Sequence, residues 1–211
     1  MDTERLEKAL KANCFGFRFF KGKDELIDYL RSAMPAGSSA AVGGSVTLSQ
    51  LGVLDMLRSG EYDFHDRYKE GADVERIFHE SYSVDFYLAS ANAITEHGEI
   101  YLVDGTSNRT SAILYGPRKV FLIAGTNKVV GNLSEAVSRV KRIAAPENAK
   151  RLGIDTYCSA AGECRNTECD RDDLMCSFSC GNTICCNTVI LSRQRAKERI
   201  EVLLVDGSFG Y

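Results

Sequence analysis

Long apolar runs are missing from this chain of 211 residues. Its longest, such as 119–125 and 200–206, are strand-sized and far short of the roughly 20 apolar residues that cross a bilayer. This excludes a helical membrane protein. The first ten residues are charged and amphipathic, with no apolar signal core, so a cytoplasmic location is expected. An excess of one charge sign is also missing. Lys and Arg number 26 against 29 Asp and Glu, a net charge of -3, so nothing general draws the chain to nucleic acid or to anionic lipid. Histidine is scarce. His65, His79 and His97 fall in no nucleophile arrangement, and no Gly-x-Ser-x-Gly elbow exists, which removes the common hydrolase machinery.

Strands alternating with helices fill most of the chain. The apolar spacing predicts helices over 1–11, 24–34, 46–57, 74–81 and 109–115, and from Leu133 to Ala144. Pro146 kinks or ends the last of these, or opens a second short helix. Strands are expected at 16–20, 38–42, 62–65, 85–88, 99–103, 120–124, 188–191 and 201–205. The run 120–124 is nearly all apolar, as in a strand buried on both faces. The His97-Gly98 turn suggests that 99–103 pairs antiparallel with what precedes it. The pattern reads as one α/β domain over 1–211, with a mainly parallel sheet and helices on both faces. The basic stretches 139–151 and 193–199 read as solvated faces, and Cys14, near a helix end, as a buried structural thiol.

Three turns follow strands and open helices or loops. In Val42-Gly43-Gly44-Ser45-Val46-Thr47, glycines let the backbone approach a ligand, and Ser45 and Thr47 add hydroxyls. The plainer alternative is a tight turn with Ser45 capping a helix. Asp104-Gly105-Thr106-Ser107-Asn108-Arg109 offers a guanidinium suited to carboxylate or phosphate. Asp104 is there a candidate catalytic carboxylate or a loop brace. Ser90-Ala91-Asn92 ends a third strand. Ligands of open α/β sheets sit beyond the carboxyl ends of strands, so the three turns are expected to share one site for a small anionic metabolite.

Cysteine is concentrated. Seven of the eight lie in the polar window 158–186, with spacing Cys158-x5-Cys164-x4-Cys169-x6-Cys176-x3-Cys180-x4-Cys185-Cys186. In a reducing compartment such density favours thiolate–metal chemistry over disulfides. The pattern fits no standard zinc-finger or ferredoxin spacing, so zinc, an iron–sulfur cluster and free or redox-active thiols all stay open.

The motifs Ala41-Val-Gly-Gly-Ser-Val-Thr-Leu, Ser90-Ala-Asn-Ala-Ile-Thr-Glu-His-Gly-Glu-Ile, Val103-Asp-Gly-Thr-Ser-Asn-Arg and Tyr115-Gly-Pro-Arg-Lys-Val occur in this order. With Gly125-Thr-Asn-Lys and Ala144-Ala-Pro-Glu-Asn-Ala-Lys-Arg-Leu, they resemble the lactate-utilisation (LUD) domain family over nearly the whole chain. The resemblance implies a Rossmann-like fold similar to ribose-phosphate isomerases, glucosamine-phosphate isomerases and CoA transferases. It also implies a role in or beside oxidation of L-lactate to pyruvate, with iron–sulfur subunits as partners. A pocket of Gly43, Gly44, Ser45, Thr47, Asn92, Asp104, Asn108 and Arg109 would take the metabolite. Single-domain relatives carry a cysteine motif here. Cys158-Ser-Ala-Ala-Gly-Glu-Cys164 looks like its start and Ile184-Cys185 like its end, giving Cys158, Cys164, Cys169 and Cys185 as the implied ligand set. The chain departs from the family at Cys176, Cys180 and Cys186, which would replace a ligand or complete a second site. The competing readings are an enzyme acting on a phosphorylated or CoA-linked small molecule, with Asp104 as base and Arg109 as anion clamp, and a cysteine-based metal or redox sensor. A homo-oligomer stays open under each.

Overall fold

The structure, a computed structural model, describes residues 2–166 and 180–211. In chain order its regular elements begin with α1 (Thr3–Ala12), β1 (Gly16–Phe20), α2 (Lys23–Ala33), β2 (Ser39–Val42), α3 (Val46–Gln50), α4 (Val53–Leu57) and β3 (Asp63–Phe64). They continue with α5 (Val74–Glu80), β4 (Phe86–Ala89), β5 (Ala93–Thr95), β6 (Ile100–Asp104), α6 (Asn108–Leu114), β7 (Lys119–Gly125) and β8 (Val129–Val130). The last are α7 (Leu133–Arg139), α8 (Ala145–Arg151), α9 (Tyr157–Ala161), β9 (Asn187–Leu191) and β10 (Ile200–Val205). No helix among the described residues is long and apolar enough to cross a membrane.

Six strands form a wholly parallel sheet in the order β1-β10-β7-β4-β2-β3. This gives the Rossmann-like α/β class. Both faces of the sheet are covered, which fixes its apolar composition. On β7, Phe121 and Ile123 face α2, α3 and α4, while Val120, Leu122 and Ala124 face the opposite core.

That opposite core differs from the expected helical layer. Helices α1 and α6 contribute Leu6, Leu10, Ala112 and Ile113, but the rest is a second sheet, β8-β5-β6-β9. Its β5 and β6 form the antiparallel hairpin signalled by His97-Gly98, with Gly98 at φ +84. Residues 93–95, expected to be turn, are a strand because their main chain pairs with both β6 and β8. The outer face of this sheet buries Tyr101 and Val103 against Ala136, Val140 and Ala144.

Two helical expectations change in detail. The helix expected over 46–57 is broken into α3 and α4 by Gly52, whose φ of +73 places it in the left-handed region. The helix from Leu133 runs on past Pro146, through a π turn at Val140–Ala144. Pro146 lies in the first turn of α8, directly after the π turn. A π turn inserts one residue and rotates the helix face that follows. Arg139 and Lys141, expected on a solvated face, are buried. Cys14 is half-buried rather than buried, with φ at +64.

Candidate functional site

A cleft of about 440 Å³ lies where the ends of β2, β4 and β6 meet α7–α8. It is bordered by Gly44, Ser45 and Thr47 from the first turn, Ser90 and Asn92 from the second, and Asp104, Asn108 and Arg109 from the third. Gly43 stands just behind it. The three turns thus come together around one cavity. None of the three histidines borders it.

Their internal chemistry is more occupied than their sequence suggests. The Arg109 Nε donates to Asp104 Oδ1 (2.9 Å), and its terminal nitrogens donate to Ser90 O (2.9 Å), Asn92 Oδ1 (2.8 Å) and Val103 O (2.9 Å). The second Asp104 oxygen accepts from the Thr110 N–H (2.8 Å) in the first turn of α6. Asn92 Oδ1 also accepts from the Val103 N–H (2.9 Å). Arg109 and Asp104 therefore brace the turns against each other, leaving little of either group for a ligand or a substrate proton. A Cβ on Gly43 would lie 3.0 Å from the Arg109 Cγ and 3.2 Å from the Tyr87 hydroxyl, so this glycine makes room for the brace. Ser45 caps α3, accepting from the Leu48 N–H (3.3 Å). Asn108 accepts from the Thr106 hydroxyl (2.7 Å). Ser107 holds the left-handed conformation at φ +63 without being glycine, a strained state that persists only where its surroundings enforce it.

Sequence reasoning missed Lys128 and Arg139. Lys128 is 4% exposed and donates to Thr47 Oγ1 (2.9 Å) and Ser90 Oγ (3.1 Å) at the cleft wall. Burial, then the nearby Arg139 and Arg109 guanidinium groups, push its amine down to about 7. Arg139 is buried beside it, donating to Asn92 O (2.7 Å) and Asn127 O (3.2 Å), and burial lowers its pKa too. No carboxylate among the described residues pairs with either. Removing two cations from water without counter-charges is expensive. Arg67 and Arg151 also border the cleft, and Asp104, already paired, is the one carboxylate side chain among the described residues that does. The cavity is an electropositive recess. A signal existed for Arg139, three residues after Ala136 on the inward face of α7; Lys128, in a three-residue turn after β7, carried none.

A second, smaller recess adjoins the first. Cys158, Cys164, Cys180 and Cys185 border it, and Ile184, Cys185 and Ala145 belong to both walls. Burial, then the neighbouring Cys158 and Cys164, push the Cys185 thiol up to about 12. The expected ligand Cys169, like Cys176, lies outside the described residues. Cys186 is exposed and turns away, its N–H donating to Asp104 O. Among the described residues no three His, Cys, Asp or Glu side chains stand at metal-holding separation. The donor set suits zinc or an iron–sulfur cluster in kind.

The family model of the LUD domain matches residues 3–205. The chain belongs to the LUD domain family. A crystal structure of a DUF162 family protein from Deinococcus radiodurans matches over 97% of this chain and 96% of its own, at a TM-score of 0.53 and 13% identity. At that identity the likeness establishes a shared fold. The β subunit of eIF2B from Chaetomium thermophilum (TM-score 0.38, 10% identity, 52% of this chain and 43% of that one) is similar over part of the chain. So is a ribose 5-phosphate isomerase from Plasmodium falciparum (TM-score 0.34, 13% identity, 52% of each chain). No curated protein sequence matches the chain.

Proposed function

We propose that this LUD protein binds a small carboxylate metabolite in the electropositive cleft, in a lactate-utilisation-related role. The observation that carries the reading is the buried pair Lys128 and Arg139, which lacks any carboxylate partner among the described residues. A ligand carboxylate would supply the missing charge. The cleft is large enough for a three- to four-carbon acid with its water, and Thr47 and Ser90 hydroxyls stand beside the lysine to orient it. A partner carrying iron–sulfur centres for lactate oxidation belongs to the same proposal.

Thermal denaturation with lactate, pyruvate, a sugar phosphate or CoA tests it. A ligand at a hundred times its Kd stabilises by about 2.7 kcal/mol. Lactate or pyruvate should raise Tm, and Lys128→Met should abolish the rise. Stabilisation by CoA or sugar phosphate alone would favour the alternative enzyme class.

A second element of the proposal concerns the thiol recess. Four cysteines from two segments border one hollow. They would hold a metal only by drawing Cys158, Cys164 and Cys185 closer together than they now stand, with Cys180 or Cys169 as the fourth donor. A bound metal would neutralise the crowded thiolates and tie the α9 segment to the strand that follows.

A further inference from the structure

Binding of an anion explains the cationic surroundings of Lys128 but leaves its amine without a task. Both of its side-chain partners are hydroxyls. The Thr47 hydroxyl donates its own hydrogen to Phe209 O (3.0 Å), and the Ser90 hydroxyl donates its hydrogen to Ala91 O (3.4 Å). Both oxygens therefore act as acceptors towards Lys128. A neutral amine satisfies both with its two hydrogens and keeps its lone pair for a third position, on a residue that borders the cleft. An ammonium would instead carry a third hydrogen with no acceptor among the described side chains.

The charged groups facing Lys128 favour the neutral form. Arg139 and Arg109 are both cations, Asp104 is consumed by Arg109, and no other carboxylate side chain among the described residues reaches the amine. Burial first, and then these cations, push the amine down to about 7, where an exposed lysine would stay protonated. A desolvated lysine next to other cations is a known way to make a nucleophilic amine.

We propose that Lys128 condenses with the carbonyl carbon of a 2-oxo acid held in the cleft, forming a reversible imine. This rests on the carboxylate-binding reading above. The nitrogen lone pair attacks the carbonyl carbon, and the carbonyl oxygen takes up a proton to give a carbinolamine. Loss of water then forms the C=N bond. Both amine hydrogens leave in that water, so neither oxidant nor reductant is required. The Thr47 and Ser90 hydroxyl oxygens, within 3.1 Å of the nitrogen, hold the amine in place by accepting its hydrogens, and the proton taken up by the departing oxygen comes from water in the cleft. The ligand carboxylate supplies the counter-charge that Arg139, unlike Arg109, lacks among the described residues.

The test uses the full chain with pyruvate, borohydride and peptide mass mapping, and runs thermal shifts with pyruvate and lactate in parallel. Borohydride reduces an imine to a stable secondary amine. The expected result is an adduct on Lys128 that dominates over every other lysine at neutral pH and is completely lost in Lys128→Arg. That variant keeps the cation, so its folding is checked by its Tm and its anion binding by the lactate shift. If both acids raise Tm but no adduct forms at Lys128, the imine is overturned and the carboxylate site stands. Adducts spread evenly over exposed lysines overturn the imine in the same way. If neither acid shifts Tm, the carboxylate site itself fails.

Discussion

At the scale of single residues, the cleft is governed by where protons and cations can be kept. Lys128 normally titrates at 10.5 and is pushed to about 7 by burial and by Arg139 and Arg109. Between those two values the unfolded chain holds a proton that the folded chain has released. Stability therefore rises with pH across that window, and the penalty is fully present below it. Lys128→Met should flatten the rise, gaining stability relative to the parent at pH 6 and less at pH 9 or so. Urea denaturation of both proteins at several pH values checks this, and a parallel pH dependence would refute it. Gly43→Ala acts on the neighbouring brace. Its new methyl would push the Arg109 side chain at 3.0 Å, and overpacking of this kind costs about 1–3 kcal/mol. The loss should appear as a lower urea midpoint with m unchanged.

At the scale of elements, the breaks in the helices matter as much as the helices. Gly52 holds φ at +73 with nothing near the position of a Cβ. Gly52→Ala should therefore cost about 1–2 kcal/mol through backbone strain alone, without a packing defect, as measured by denaturant melting. The apolar period marked nearly every strand and helix, because periodicity reports which face is buried. Leu48, Leu51 and Leu54 showed an inward face, yet nothing in their spacing reveals that Gly52 splits the helix. Short strands fare worse. Val129–Val130 carries no periodicity at two residues, and Ala93–Thr95 reads as turn because its neighbours are small and polar. Both exist through pairing with β5, β6 and β8, which is a tertiary fact. The cleft was half legible. Glycine, Asn92, Asp104 and Arg109 stand out because turns need special residues. Arg139 was hidden because an arginine in a helical pattern ordinarily faces water, although it lies three residues after the buried Ala136, and Lys128 was hidden because a three-residue turn after β7 has no period to report burial.

At the scale of the whole molecule, two sheets and their helices bring distant segments to one end. The cleft draws on residues from Gly44 to Tyr211, and the last described residues help close it. The Thr47 hydroxyl bonds to Phe209 O, the Gly210 N–H bonds to Gln50 (2.6 Å), and the Tyr211 hydroxyl meets Asn148 (3.2 Å). The cysteine recess is tested at the same scale. Anaerobically prepared protein should contain zinc or iron. Serine at Cys158, Cys164 or Cys185 should lower metal content severalfold, with far-ultraviolet circular dichroism little changed. Serine at Cys14 should leave metal content as it was. Because the Cys185 thiol holds its proton up to about 12 when no cation is near, metal uptake must expel protons. Retention of metal should accordingly weaken as pH falls, which a chelator competition at two pH values reads directly.

Ile184 and Cys185 stand in a party wall: one side faces the thiols and the other the electropositive cleft. A wall cannot be gripped from one room without being felt in the other. If an occupant of the thiol recess draws Cys185 towards itself, the cleft changes shape by the same movement, and the affinity for each occupant alters by one common factor. A cell's supply of metal or oxidant would then set how tightly a carbon source is held, with no further domain required to carry the message.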